Sequence, residues 1–176
     1  MLNNSVIKVD KFLNHQLDIT LLDNIGSEFY HHFLDQEITK ILTIEASGIA
    51  VATLTALYFN VPVVFARKSE SITHPEDKYS ADVYSFTHER QFNIFVSREY
   101  IKPGDKILVI DDFLANGQAL LGMARIVHEA GATLVGAGIV IEKSFQDGGK
   151  LVRDAGINVF SLARIKKMSD AGITFY

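Results

Sequence analysis

The segment from Lys106 to Ala119 constrains this chain more than any other. An apolar stretch, Ile107-Leu108-Val109-Ile110, ends in two adjacent acids, Asp111 and Asp112. Phe113, Leu114 and a small-residue turn, Ala115-Asn116-Gly117-Gln118, come next, and a helical pattern then runs from Ala119 to Ala130. Strand, acid pair, tight loop and helix start form one unit. Its loop offers backbone N–H groups and the positive end of a helix dipole to a phosphate. Its carboxylates can accept hydrogen bonds from sugar hydroxyls. A ribose 5-phosphate carries both partners. The bland alternative is an ordinary strand-to-helix turn with a capping acid. In the loop, Gly117 permits φ > 0, and Asn116 is the non-glycine type that best tolerates it.

The rest of the chain repeats the alternation. Leu17 to Leu34 carries Leu21, Leu22, Ile25, Phe29 and Phe33 at helical spacing. Lys40 to Ile44 is a short β-rich run, and Glu45-Ala46-Ser47-Gly48 turns into a helix over Ile49 to Phe59, with Asn60 near its end. Val61 to Ala66 is a further apolar run. Ser69 to Ser80 reads as a polar loop, Ala81 to Phe86 and Gln91 to Ser97 as a strand pair, and Lys102-Pro103-Gly104-Asp105 as a turn. Thr133 to Glu142 and Ile157 to Leu162 are the last strands expected. Single strands alternating with helices predict an α/β fold with a mostly parallel sheet flanked by helices. Ligands of such sheets sit beyond the carboxyl ends of the strands, here after Ile44, Ala66, Ile110 and Ile141.

Composition narrows the function classes. The chain has 176 residues, enough for one domain with a full core, and is 48% hydrophobic. It has no cysteine, so disulfides and zinc-thiolate sites are excluded and a cytoplasmic setting is expected. The net charge of −4 argues against a general nucleic-acid surface, and no apolar run reaches the ~20 residues of a membrane helix. The six histidines show no metal-ligand spacing. Gly136-Ala137-Gly138 lacks the third glycine of a dinucleotide fingerprint.

The signature resembles the phosphoribosyl pyrophosphate (PRPP) motif of the type I phosphoribosyltransferases. There an apolar strand leads to two acids and a loop that commonly reads Thr-Gly-Gly-Thr. Here the loop is Ala115-Asn116-Gly117-Gln118-Ala119, which looks like the xanthine branch of that family. Val9-Asp10, Phe12-Leu13-Asn14-His15-Gln16, Phe65-Ala66-Arg67-Lys68, Val83-Tyr84-Ser85-Phe86-Thr87 and Ile139 to Phe145 also match. The resemblance spans about Val6 to Ile165. Family members often carry a further short helix before the segment matching Ser5 to Asp10.

The resemblance implies a purine salvage enzyme with one domain over 1–176. Its small hood would come from the N- and C-terminal segments, with a flexible loop at about 69–90. It would move 5-phosphoribose from PRPP to N9 of xanthine, with magnesium accompanying PRPP, as a homodimer with no nucleic-acid or membrane partner. Asp111 and Asp112 would hold the ribose hydroxyls, reach magnesium through water and favour the positive charge developing at C1. Ala115, Asn116, Gly117, Gln118 and Ala119 would cradle the 5-phosphate. Ser47 and Gly48 would bind pyrophosphate, with Arg67 and Lys68 facing it. An N-cap at Ser47, and a solvated pair at Arg67-Lys68, are the plain alternatives. Ile7, Asn14, Lys143 and Phe145 would line the purine, with simple packing the alternative for Ile7.

Lys143 ends a nearly all-apolar strand, where an unused charge is costly. Its ammonium only donates, so it suits an oxo group and not the 6-amino group of adenine. Asn14 can serve a 2-oxo or a 2-amino group. Ala115 stands where the hypoxanthine-guanine branch has an aspartate proposed as general base. Xanthine is acidic enough to need none. Tyr84-Ser85-Phe86-Thr87 is a lid in this reading and a surface hairpin otherwise. A guanine or hypoxanthine transferase, and a non-enzymatic PRPP-sensing regulator, are the competing functions. A receiver domain also uses an acid pair after a strand, but early in its chain.

Overall fold

Strand formation follows the apolar runs closely. The computed structural model of the chain describes residues 9–68, 77–85, 90–169 and 172–176. Its strands are β1 (Lys40–Ile44), β2 (Val63–Lys68), β3 (Lys78–Ser85), β4 (Arg90–Ser97), β5 (Lys106–Leu114), β6 (Thr133–Lys143), β7 (Val159–Ser169) and β8 (Gly172–Phe175). The helices are α1 (Ile19–Phe33), α2 (Gly48–Phe59), α3 (Gln118–Glu129) and α4 (Gly148–Asp154), preceded by a π-helical turn over Asp10–Asn14. The sheet runs β3-β4-β2-β1-β5-β6-β7-β8. Pairs among β2, β1, β5, β6 and β7 are parallel; β3–β4, β4–β2 and β7–β8 are antiparallel. The expected mostly parallel α/β sheet is therefore present.

Two apolar layers cover it. On one face, Leu22, Ile25, Phe29 and Phe33 of α1 and Val51, Ala52 and Ala56 of α2 pack on Ile41, Leu108, Ile110 and Val140. On the other, Leu120, Met123, Ile126 and Val127 of α3 and Val152 of α4 pack on Leu42, Ile107, Val109 and Ile139. The spacing in α1 and α3 is the apolar stripe that a surface helix needs. Asp18 caps α1 by accepting from Leu21 N at 3.0 Å. Asn60 ends α2 in the left-handed region, φ 54°, which asparagine tolerates better than most residues.

Four expectations need correction. First, the acids do not follow the signature strand; β5 continues through them to Leu114, with Asp111 opposite Ile139 and Leu114 opposite Glu142 on β6. Second, Lys78, Tyr79 and Ser80 are strand rather than loop, pairing with Ser97, Val96 and Phe95. The segment looked polar because only alternate residues, Tyr79, Ala81 and Val83, are buried. Third, α4 was not foreseen. It opens on Gly148-Gly149, poor helix formers. Fourth, β7 runs well past Leu162 because β8 folds back on it, Met168 opposite Ile173. The rest of the expected 69–90 loop, residues 69–76 and 86–89, lies outside the described residues, and Phe86 and Thr87 with it.

The β3–β4 hairpin hangs from the carboxyl end of β2, where Arg67 pairs with Phe95 and Lys68 with Ile94. Its inward residues pack on α3: a Cβ at Gly122 would fall 2.6 Å from Val83 Cγ2. The hairpin thus stands beside the ends of the parallel strands, where ligands are expected.

Candidate active site

The acid pair is a buried polar feature of the carboxyl ends. Asp111 is 6% exposed and Asp112 9%. Asp111 Oδ1 accepts from Asp112 N at 3.0 Å, and Asp112 Oδ1 from Phe113 N at 3.0 Å. Burial, and then the neighbouring charge of Asp112, push Asp111 well above the usual carboxylate range, while the Lys68 ammonium pulls the other way. Ala115, Asn116 and Gly117 turn the chain into α3, whose first residues are Gln118 and Ala119. A cavity of about 170 Å³ opens over this loop, lined by Asp111, Phe113, Ala115 to Leu120, and Tyr84 of β3. Acid, loop and hairpin thus share one hollow, of a size suited to a phosphate-bearing group. Gly117 has φ 76°, as expected; Asn116 does not use a positive φ, since among the described non-glycine residues Asn60 is the one that does.

The turn after β1 lies against the acids. A Cβ at Gly48 would be 2.9 Å from Asp111 Oδ1, so the start of α2 reaches the pair only because residue 48 has no side chain. Ser47 precedes that helix without making a side-chain capping bond, so its cap alternative is not what the structure contains. The Glu45–Ala46 peptide is cis. Glu45 joins this turn to the end of β2: Oε1 accepts from Lys68 N at 2.6 Å, and Oε2 lies 3.8 Å from Arg67 Nε. Arg67 and Lys68 are both exposed at that end, Lys68 with its ammonium 5.7 Å from the Phe92 ring centroid.

The third group lies across β6. Lys143 Nζ sits 5.4 Å from the centroid of the Phe113 ring, and burial pushes its pKa down. Leu13 is 1% exposed and packs in the same cluster as Phe113 and Ile141, which anchors Asn14, one residue on, to that face. Asn14 itself is exposed, and Phe145, in the turn after β6, is 40% exposed. Ile7 lies outside the described residues.

Glu45 and Glu142 escaped the sequence reading. Glu142 is 1% exposed. Its carboxylate accepts from Arg153 Nη1 at 3.0 Å and Nη2 at 2.7 Å, Ser161 Oγ at 2.6 Å and Ser144 Oγ at 3.1 Å. Arg164 Nε stands 3.7 Å away. A charged residue closing an apolar strand was the available signal. Burial alone would raise this carboxyl, but Arg153 and the serines outweigh it and hold it at about 2. A folded-state pKa below the ordinary value of 4.5 contributes stability that is complete above pH 4.5 and lost as pH falls towards 2. The linkage is about 3 kcal/mol. Glu142→Gln should therefore flatten the pH dependence of stability between those limits, read by urea unfolding at several pH values. An unchanged slope would mean that the ion pair does not form.

Comparison with known proteins matches this geometry. Residues 8–163 match the phosphoribosyl transferase domain family. A curated xanthine phosphoribosyltransferase from Ruminiclostridium cellulolyticum is 52% identical over 175 residues, covering 99% of this chain and 92% of the relative. One from Bacillus cytotoxicus is 52% identical, covering 99% and 89%. Among solved structures, the APRTase from Giardia lamblia complexed with 9-deazaadenine superposes with a TM-score of 0.76 at 26% identity, covering 84% of this chain and 81% of that one. The adenine phosphoribosyltransferase from Thermoanaerobacter pseudethanolicus, at 20% identity and TM-score 0.75 over 84% and 82% of the chains, shares the fold. With its acid pair, glycine turn and helix start meeting at the carboxyl ends of a parallel sheet, the chain belongs to the phosphoribosyltransferase family.

Proposed function

We propose that this protein transfers the 5-phosphoribosyl group of PRPP to N9 of xanthine. The C1–N9 bond forms, the bond from C1 to the pyrophosphate oxygen breaks, and the N9 proton passes to water, giving xanthosine 5-monophosphate and pyrophosphate. The observation that carries the choice of base is Lys143, a half-buried, donor-only group over the Phe113 ring. It can serve a 6-oxo group and cannot accept from the 6-amino group of adenine. The likeness to adenine transferases therefore stops at the fold. Xanthine is favoured over guanine by the relatives at 52% identity and by Ala115, which cannot take a proton from the base. Catalysis then rests on positioning and on charge beside C1.

In this reading the amides of Asn116, Gly117 and Gln118 hold the 5-phosphate at the start of α3. Asp111 and Asp112 hold the ribose hydroxyls. Ser47 and Gly48 hold pyrophosphate at the start of α2, with Arg67 and Lys68 beside it. Asn14 and Phe145 flank the base, and Ile7 lines it. The whole chain acts as one domain, with the terminal segments forming a small hood and Tyr84 closing over the ribose. Such closure excludes water from the cation-like centre.

The donor set fits magnesium that arrives on PRPP. Among the described residues no group of three or more His, Asp or Glu could hold a cation unaided, whereas Asp111 and Asp112 can reach one through water. Magnesium bound by few carboxylates and by substrate oxygens is its usual form, and there it neutralises phosphate charge. Among the described residues no helix is long and apolar enough to cross a membrane. We place the enzyme in the cytoplasm as a homodimer. The exposed Phe65 and Tyr100 line a groove of about 710 Å³ beside Arg67 that a second copy would cover. Sedimentation of a monomer at enzyme-assay concentrations would remove the dimer from this reading.

Steady-state rates with xanthine, guanine, hypoxanthine and adenine test the choice of base directly; xanthine should show the highest kcat/KM. Lys143→Ala should lower kcat/KM for xanthine by about 1–3 kcal/mol, the cost of an unpaired buried acceptor. PRPP affinity without base should hardly move, and adenine should remain poor. Equal weakening of xanthine and PRPP would place Lys143 at the phosphates. No change in either would make it a lysine reaching from a core strand to water.

A further inference from the structure

Glu142 and Lys143 are successive residues of β6 and project to opposite sides. Lys143 lies over Phe113, while Glu142 turns to α4, away from the base. No substrate contact proposed above uses Glu142, yet it is among the most heavily bonded side chains described. Its bonds run towards both grips of the site. Ser144, adjacent to Lys143, donates to its Oε1 at 3.1 Å. On the other side Arg153 donates both to Glu142 and to the carbonyl of Gly149, the latter at 3.0 Å.

From there the contacts run straight to the phosphate loop. A Cβ on Gly149 would collide with the Glu142 carboxylate and lie 2.9 Å from Arg153 Nη1. A Cβ on Gly148 would collide with the Ala115 carbonyl and lie 2.5 Å from Gly117 N and 2.6 Å from Asn116 C. The first turn of α4 is thus the floor of the loop, pressed there by backbone alone. Val152, one turn on, meets Gly117 from below.

We infer that Glu142, braced by Arg153 and Ser161, is a positioning residue that sets the separation between base-reading Lys143 and the 5-phosphate loop. The inference rests on the proposed function. N9 and C1 react only when two separately held substrates meet, and the distance between their grips decides how closely they do. A misplacement of about 1 Å can cost on the order of 10²-fold in rate. A buried carboxylate with four side-chain hydrogen bonds fixes its neighbours far more firmly than packing does.

The test compares Glu142→Gln, Ser161→Ala and Arg153→Lys in the full chain, with Lys150→Ala at the exposed Lys150–Asp154 pair of α4 as control. Glu142→Gln should lower kcat at saturating xanthine and PRPP by on the order of 10²-fold, and the other two by less. The control should leave it unchanged. PRPP affinity measured without base should move far less than kcat, because each grip survives and only their spacing is lost. In a Lys143→Ala background the effect of Glu142→Gln on kcat/KM for xanthine should shrink, since the base grip is already gone. Reduced melting temperature with normal kcat at 25 °C, or full additivity with Lys143→Ala, would overturn the inference. If Glu142→Gln does not fold, Ser161→Ala and Arg153→Lys are read by the same criteria. If guanine proves the better substrate, the xanthine reading fails, while the kcat arm run with guanine still decides this one.

Discussion

Asp111→Asn and Asp112→Asn are each expected to lower turnover by about 10²–10³-fold, the usual cost of losing one electrostatic contribution to a transition state. The Asp111 substitution should also act on stability. Asp111 has its pKa pushed up by burial and by the charge of Asp112. A carboxyl with a raised folded-state pKa costs stability once pH climbs above its unfolded value of about 3.9, and costs nothing below it. Asp111→Asn should therefore raise the melting temperature near pH 7 while lowering the rate, and the gain should fade below pH 4. A functional acid held at the expense of the fold behaves in this way. Steady-state rates at saturating PRPP, with melts at both pH values, give the result. Near-normal turnover in the double variant would remove the acids from the active site.

Gly117→Val is expected to abolish PRPP binding. Two penalties coincide at that position. Its φ of 76° is one that a β-branched residue adopts only under strain, and the added Cβ would press on Val152 Cγ1 at 3.0 Å and the Gly148 carbonyl at 3.1 Å. Strain of this kind costs roughly 1–3 kcal/mol, and the loop must shift to relieve it, turning its amides away from the phosphate. Gly104→Val supplies the control. Its φ is 88°, but no atom lies within 4 Å of the added Cβ. It should lower the melting temperature and leave PRPP affinity intact. Calorimetry with magnesium and PRPP distinguishes the two, and unchanged affinity in Gly117→Val would put the phosphate elsewhere.

Much of this site was legible because its parts are local. Apolar run, acid pair, small-residue turn and helix start are contiguous from Lys106 to Glu129, and each is dictated by short-range rules: β-branched runs extend, glycine permits the turn, periodic apolar residues coil. The bounds of β1 agree with the expected run residue for residue, because Ile41 to Ile44, three of them apolar, are buried on both faces. The polar start of β3 misled for the opposite reason. Lys78, Ser80 and Asp82 face outward, and only pairing with β4 shows that they are strand.

By itself, then, the amino-acid sequence determined the alternation of strands and helices, and the acid pair, glycine turn and helix start that follow one another at the carboxyl end of β5. Tertiary structure decided what depends on distant partners. It pushed the Asp111 carboxyl well above its ordinary range, since burial is set by elements remote in sequence. It brought Gly148 beneath Ala115 and Gly117, and Ser161 and Arg153 onto Glu142 from 19 and 11 residues away. Periodicity reports only which face of an element is apolar. Which charge meets which across two elements is fixed when they pack, and no local pattern records it.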